Sequence, residues 1–360
     1  MTTTLTLRQP DDWHLHLRDD AALAAVLPHT AARFARAIVM PNLKPPVVDT
    51  AQALAYRSRI LNALPAGLPF EPLMTLYLTD QTPPAEIGRA KASGVVYGCK
   101  LYPAGATTNS AAGVTDVHRI AEVLAEMATQ DMVLQVHGEV VGEAADVFER
   151  EARFIDEILQ PIAEQYPRLR IVFEHITTEK AVQFVRMARA GIAATITPQH
   201  LLYNRNAMFR GGIRPHYYCL PILKTEKDRG ALLAAATGGE PRFFLGTDSA
   251  PHARNTKETD CGCAGMYSAH AALELYAEAF EQAGALARLE GFAADFGADF
   301  YRLPRNRGSI TLSKDAWKAP SSYRFGSGEL VPMRANETIA WRLVGASTNA
   351  LPGTSPSVST

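Results

Sequence analysis

Eight short β-rich runs recur along the chain, each followed by a stretch with apolar residues at helical spacing, and this alternation restricts the fold more than any other feature. The runs are Trp13–Leu17, Ala37–Leu43, Pro72–Leu78, Val95–Tyr102, Met132–Gly138, Ile171–Ile176, Ile192–Thr197 and Arg242–Gly246. Most are almost continuously apolar, as strands buried on both faces of a parallel sheet are. The segments between them are amphipathic. Ala145–Tyr166 sets apolar residues among charges at helical spacing. Thr177–Ala190 begins with Thr and has Gly191 just past its end, the preferred capping chemistry. Strand–helix units repeated in this way predict an α/β fold of the TIM-type (β/α)8 barrel class. A doubly wound open sheet competes, but no Gly-x-Gly-x-x-Gly follows the first run. Beyond Arg305 the alternation fades into a short C-terminal extension with strand-like pieces. Residues 1–345 are read as one unit, and 346–360, ending LPGTSPSVST, as a disordered tail.

Composition excludes several classes of function. The 360 residues carry Lys+Arg 36 against Asp+Glu 37, a net charge of -1, which gives no electrostatic case for nucleic acid or an anionic membrane. No run approaches the roughly 18 apolar residues of a membrane span, and the N-terminus lacks a signal-peptide core. The four cysteines (Cys99, Cys219, Cys261, Cys263) are too few for a disulfide framework. A reduced, cytoplasmic protein is expected.

Ligand-type side chains fall repeatedly at strand ends. His14 and His16 stand two apart on the first run, so their side chains leave the same face. Lys100 lies near the end of the fourth, His137 and His175 end the fifth and sixth, and Asp248 follows the eighth. In a parallel barrel these six converge at the carboxyl-end mouth, where Pro103–Gly113 and the long Pro198–Pro221 connection also lie. Four imidazoles and one carboxylate exceed the three protein ligands of a single catalytic zinc, which points to two metals. Two cations held close need an anionic bridge. A lysine ammonium only donates, whereas a carbamate formed from CO2 and the neutral amine offers two oxygens and a negative charge. Lys100 is therefore the candidate bridge.

Each element has a plainer reading. A His-x-His pair arises easily in a chain with ten histidines, and a lone His137 or His175 is ordinarily a hydrogen-bonded core residue. Lys100 could pair with a carboxylate, and Asp248 could cap a turn. All these readings would have to hold together, each at the same end of a different strand, and that conjunction favours metal. Cys261-Gly-Cys263 competes for zinc, but Cys99 and Cys219 do not complete a four-ligand site.

With these residues assembled, the chain resembles the dihydroorotases of the amidohydrolase superfamily, in their shorter bacterial and fungal class. The matching stretches are DDWHLHLRD (Asp11–Asp19), VMPNL (Val39–Leu43), KLYPAGATTNS (Lys100–Ser110), VHGE (Val136–Glu139), FEHITT (Phe173–Thr178), RPHYYCLPILK (Arg214–Lys224), GTDSAPHAR (Gly246–Arg254) and CGCAG (Cys261–Gly265). They run from the first predicted strand past the eighth. Cys99 and Met266 are minor departures. The resemblance implies a hydrolase that interconverts (S)-dihydroorotate and N-carbamoyl-L-aspartate in pyrimidine biosynthesis, as a homodimer with two Zn2+ per subunit. It implies that His14, His16 and Asp248 hold one zinc and His137 and His175 the other, with Lys100 as N6-carboxylysine between them. Arg18, Asn42 and His252 match positions that grip the substrate carboxylate, and His137 also stands among the substrate-binding positions. The backbones of Leu220 and Ala264 match those that meet the ring amide, and Thr107 and Thr108 match lid threonines. The implied mechanism has a hydroxide between the zincs attack the ring amide, with Asp248 as general base and then acid. An allantoinase- or dihydropyrimidinase-like hydrolase would share the metals, but Arg18, Asn42 and His252 together favour a carboxylate-bearing ring. A non-catalytic barrel scaffold would be expected to have lost ligands, and all six positions are filled.

Overall fold

The computed structural model describes residues 3–347. Strand β1 (Thr4–Arg8) precedes eight parallel strands, β2 (Asp11–Leu15), β3 (Arg36–Val39), β4 (Glu71–Tyr77), β5 (Val96–Leu101), β6 (Val133–Val136), β7 (Ile171–Phe173), β8 (Ile192–Ile196) and β9 (Phe243–Leu245). These eight are hydrogen-bonded in sequence order. Past the last rung Leu15 bridges Ser249, the Asp248 N–H donates to His14 O at 2.9 Å, and the His16 N–H donates to Ser249 O at 3.2 Å. The sheet thereby meets itself as a TIM-type barrel. An outer helix follows each strand, among them Asp20–Ala31, Thr50–Ala63, Glu179–Met187 and Glu226–Thr237. No helix among the described residues is long and apolar enough to cross a membrane.

Strand ends differ from the expected ones, with a physical reason. The first, sixth and eighth runs were expected to reach Leu17, Ile176 and Gly246, but the ladders stop at Leu15, Phe173 and Leu245. Arg18, His175 and Asp248, shortly beyond, adopt positive φ of 61°, 44° and 44°, so the chain has already turned into the mouth. The helix expected from Ala145 begins at Arg150, because the Asp146 carboxylate accepts from Phe148 N–H at 2.8 Å and holds a turn instead. It widens into a π turn over Ile155–Leu159, just before Pro161, whose missing N–H would break a regular ladder there. The helix expected over Thr177–Ala190 spans Glu179–Met187, with Thr178 as the capping residue.

No strand is expected before Trp13, yet β1 pairs antiparallel with β10 (Ser309–Ser313), which pairs in turn with the last strand, Arg342–Ser347. The C-terminal extension is thus tied to the N-terminus. The tail expected from 346 begins inside this last strand, since Ala346 and Ser347 pair with Ile310 and Ser309; 348–360 lie outside the described residues.

Inward-facing side chains fill the barrel interior. Trp13, Ile38, Leu73, Val133, Val172, Ala193 and Phe244 form one buried cluster with Ala298 and Tyr301 from the helix Phe296–Tyr301. Trp13 stacks on Tyr301 with centroids 4.6 Å apart and planes 7° from parallel. That helix plugs the amino-terminal end, so the polar site can form only at the carboxyl end. A Cβ on Gly297 would lie 2.0 Å from Trp13 Nε1. Gly297→Ala should therefore destabilise the fold by about 1–3 kcal/mol through overpacking, read as a lower urea midpoint. An unchanged midpoint would contradict this account of the plug.

Candidate active site

The six candidate ligands converge at the carboxyl-end mouth. His14 lies within β2 and Lys100 within β5, while His16, His137, His175 and Asp248 lie one to three residues past their strands. The positive φ of His175 and Asp248 is costly for residues with a side chain and persists only where neighbours enforce it. His175 N–H donates to Thr195 Oγ1 at 2.7 Å, and Asp248 N–H donates to His14 O. Gly246 lets the chain pass at this point. A Cβ there would stand 2.7 Å from Thr195 Cβ and 3.2 Å from His14 Cβ.

His14 Nε2, His16 Nε2 and Asp248 Oδ1 form a triangle with edges of 3.3, 3.3 and 3.1 Å. Ligand distances of about 2.0–2.1 Å around a tetrahedral zinc put neighbouring donors about 3.3 Å apart, so this set fits such an ion. The ring nitrogens turned away from the triangle each face an oxygen. His14 Nδ1 is 3.1 Å from Glu174 Oε2, and His16 Nδ1 is 2.9 Å from Asn42 Oδ1. The contact with Asn42 fixes the His16 tautomer that leaves Nε2 as a lone pair. A second group, His14, Glu174 and His175, has its donor atoms within 4.8 Å of one another. His137 stands apart from both groups. Its Nε2 faces Glu139 Oε2 at 2.8 Å, and its ring lies 4.9 Å from that of His175. Lys100 is fully buried, paired with Glu174 and 4.9 Å from the face of Tyr102.

Burial and charge set the protonation states. His16 is pushed down to about 4 by burial, and His175 lies well below its ordinary value through burial and then Lys100, so both are neutral lone-pair donors at pH 7. Burial also acts to lower His14, but Glu174 and then Asp248 hold it up at about 9. Burial acts to raise Asp248, yet His14, through its hydrogen bond and its charge, keeps it well below the carboxylate range. Burial lowers Lys100.

The remaining candidates surround a small cleft lined by the four histidines and Asp248, with Arg18, Asn42, Thr107, Thr108, Leu220 and Ala264. Lys100 and His252 stand just behind this lining. Arg18 is held by Pro251 O (3.0 Å) and His252 Nε2 (2.9 Å). Asn42 Nδ2 donates to Thr108 O at 3.1 Å, and Thr108 Oγ1 donates to Ala264 O at 3.3 Å, so the loop after β5 closes over the cleft. Sequence reasoning gave no role to Glu174, Glu139, Tyr102 or Asp12. The signal for Glu174 is a carboxylate inside an otherwise apolar strand run, which demands a buried partner. Asp12 accepts from Thr247 N–H (2.8 Å) and Oγ1 (2.6 Å) behind the His14, His16 and Asp248 triangle.

Residues 12–327 match the model of the amidohydrolase family. The chain is 64% identical over 340 residues to a dihydroorotase of Alkalilimnicola ehrlichii, covering 94% of this chain and 99% of that one. Among solved structures, the Campylobacter jejuni dihydroorotase superposes with a TM-score of 0.87 at 34% identity, covering 96% of this chain and 98% of that one. The Saccharomyces cerevisiae dihydroorotase, solved in complex with 5-fluoroorotic acid, gives 0.88 at 30% identity, covering 95% and 98%.

A cation entering the triangle must displace the proton from His14 Nε2, since the imidazole stays charged up to about 9. The apparent zinc affinity of metal-depleted protein should therefore fall about tenfold per pH unit as the pH drops from about 8 to about 6, one proton being released per cation. Calorimetric titration across that range measures it, and an affinity independent of pH would contradict the assignment.

Proposed function

Because the chain belongs to the amidohydrolase family and, within it, to the dihydroorotases, we propose the following division of labour among its residues in opening and closing the dihydroorotate ring. The donor triangle of His14, His16 and Asp248, opening onto a cleft bounded by Arg18, is the observation that carries it. Two zinc ions would be held, one by His14, His16 and Asp248 and the other by His137 and His175, with Lys100 as N6-carboxylysine between them. What supports the carbamate is the buried position of Lys100, which favours the neutral amine that CO2 addition requires. Cations held at these ligands would supply an acidified water, with a pKa of roughly 7, and Lewis acidity toward the amide carbonyl.

The protein's own groups do the rest. Asp248 starts ionised, takes the proton of the attacking water and delivers it to the ring nitrogen as the C–N bond breaks. In the reverse direction it accepts a proton from the ureido nitrogen as the ring closes. Arg18, pinned by Pro251 O and His252, presents a planar fork suited to the substrate carboxylate. Asn42 has two N–H donors and spends one on Thr108, leaving the other for the same carboxylate. His137 borders the substrate as well as the metal. The backbones of Leu220 and Ala264 meet the ring amide, and Thr107 and Thr108 close over it. We further propose that the chain acts as one hydrolase unit with its C-terminal extension, as a cytoplasmic homodimer in pyrimidine biosynthesis, with neither nucleic acid nor membrane as partner.

Ring opening of dihydroorotate, followed in the ultraviolet alongside metal content, tests the reading. Asp248→Asn should keep much of its metal yet lose at least about a hundredfold in kcat, the low end of a general acid–base contribution. Turnover at the parent rate would remove the proton-carrying role. Lys100→Ala should lose both metal and activity, and a small carboxylic acid added to the assay should restore part of each. An Lys100→Ala protein with full activity and no added acid would exclude the carbamate.

A further inference from the structure

Lys257 lies outside the metal cluster and takes no part in the reaction course above, yet it is only 3% exposed. Its ammonium donates to three backbone carbonyls, Gly265 O at 2.7 Å, Cys263 O at 2.8 Å and Tyr218 O at 3.1 Å. An ammonium has three donors, and all are used. Cys263 and Gly265 flank Ala264 on either side, and Tyr218 lies two residues before Leu220. One nitrogen therefore joins the loop after β8 to the loop after β9, beside the points where Leu220 of one and Ala264 and Gly265 of the other line the cleft. A backbone bond from Gly265 N–H to Tyr218 O, 3.0 Å, runs beside it.

Filling this space with an aliphatic chain would have been cheaper. A buried ammonium loses its hydration, and burial lowers this one to about 8. That cost is offset only by charge-assisted bonds that hold something in place. What they hold is closely fitted. Gly265 has φ 147°, and a Cβ there would lie 2.8 Å from both Ala250 Cβ and His252 Cδ2. The 263–265 backbone is thus pressed against the residue that braces Arg18, and a small shift would disturb both the amide-facing and the carboxylate-facing walls.

We propose that Lys257 is a positioning residue, whose ammonium fixes the separation of the Leu220 and Ala264 backbones so that both can meet the ring amide at once. This deepens the reading given under Proposed function and rests on it. The test measures zinc content, kcat and KM for dihydroorotate in Lys257→Met and Lys257→Arg beside the parent holoenzyme. Lys257→Met keeps the length and removes the donors. It should bind the parent amount of zinc and raise KM about tenfold, with kcat within about threefold of the parent, the pattern of lost substrate positioning. Lys257→Arg keeps the charge but cannot aim three donors from one atom, so KM should rise about threefold. A parent-like KM in a folded variant would overturn the proposal, as would a loss confined to zinc content or kcat. If Lys257→Met fails to fold, Lys257→Arg decides alone by the same criterion. A parent enzyme that does not open dihydroorotate would instead overturn the reaction on which the proposal stands.

Discussion

The mouth of this barrel is organised by the seam where its sheet meets itself. The Asp248 N–H donates to His14 O and the His16 N–H donates to Ser249 O, so the backbone contacts that join the first strand to the segment past the last also set three ligand-type side chains side by side. The 3.1–3.3 Å donor triangle follows from that joining. The left-handed backbone of Asp248 turns its carboxylate back across the seam instead of letting it alternate outward as a strand residue would. From behind, Asp12 accepts from Thr247 N–H and Oγ1, and Tyr276 OH donates to Ile196 O and Gly246 O. The segment is thereby over-determined, as a strained conformation must be to persist. A shift of register at this seam would dismantle closure and ligand geometry together.

Charge at the mouth is balanced by contact rather than by solvent. Lys100, Glu174 and Asp248 are buried, and an unpaired charge in such surroundings is strongly unfavourable. Glu174 resolves most of this by touching both Lys100 and His14. It also explains why His14 differs from its neighbours. His16 and His175 are neutral because burial dominates, whereas His14 is held charged by the adjacent carboxylates. The site thus offers lone pairs at two imidazoles and an exchangeable proton at a third, a state prepared for cations.

The barrel was legible because strands buried on both faces leave almost continuous apolar runs, and because ligand-type residues recur at the carboxyl end of run after run. Strand limits were less legible, since Leu17 and Ile176 are as buried as ladder residues although the chain has already left the sheet. Strand β1 was missed because TLTLR is short and its partner, Ser309–Ser313, is some three hundred residues away, too remote for local periodicity to reveal. Glu174 sits in a quoted motif but gained no role, because its partners depend on the turn that follows Phe173. Asn42 shows the same limit. Family resemblance marks it as a substrate contact, but only the three-dimensional arrangement reveals that its carboxamide also meets His16 and holds the loop after β5.

That double attachment of Asn42 has a consequence for how the site works. A continuous hydrogen-bonded path runs from His16 through Asn42 to Thr108, on to Ala264 O, and through the flanking carbonyls and Lys257 to the Tyr218–Leu220 segment. Asn109 returns a bond to Asn42 O. The loop after β5 supplies two links of this path, at Asn42 and at Ala264. The position of that loop, the orientation of the His16 imidazole and the placement of the Leu220 and Ala264 backbones are therefore not independent variables. Each is held by groups that also hold another, so if the loop acts as the proposed lid, its closing on substrate would tighten the machinery that acts on it.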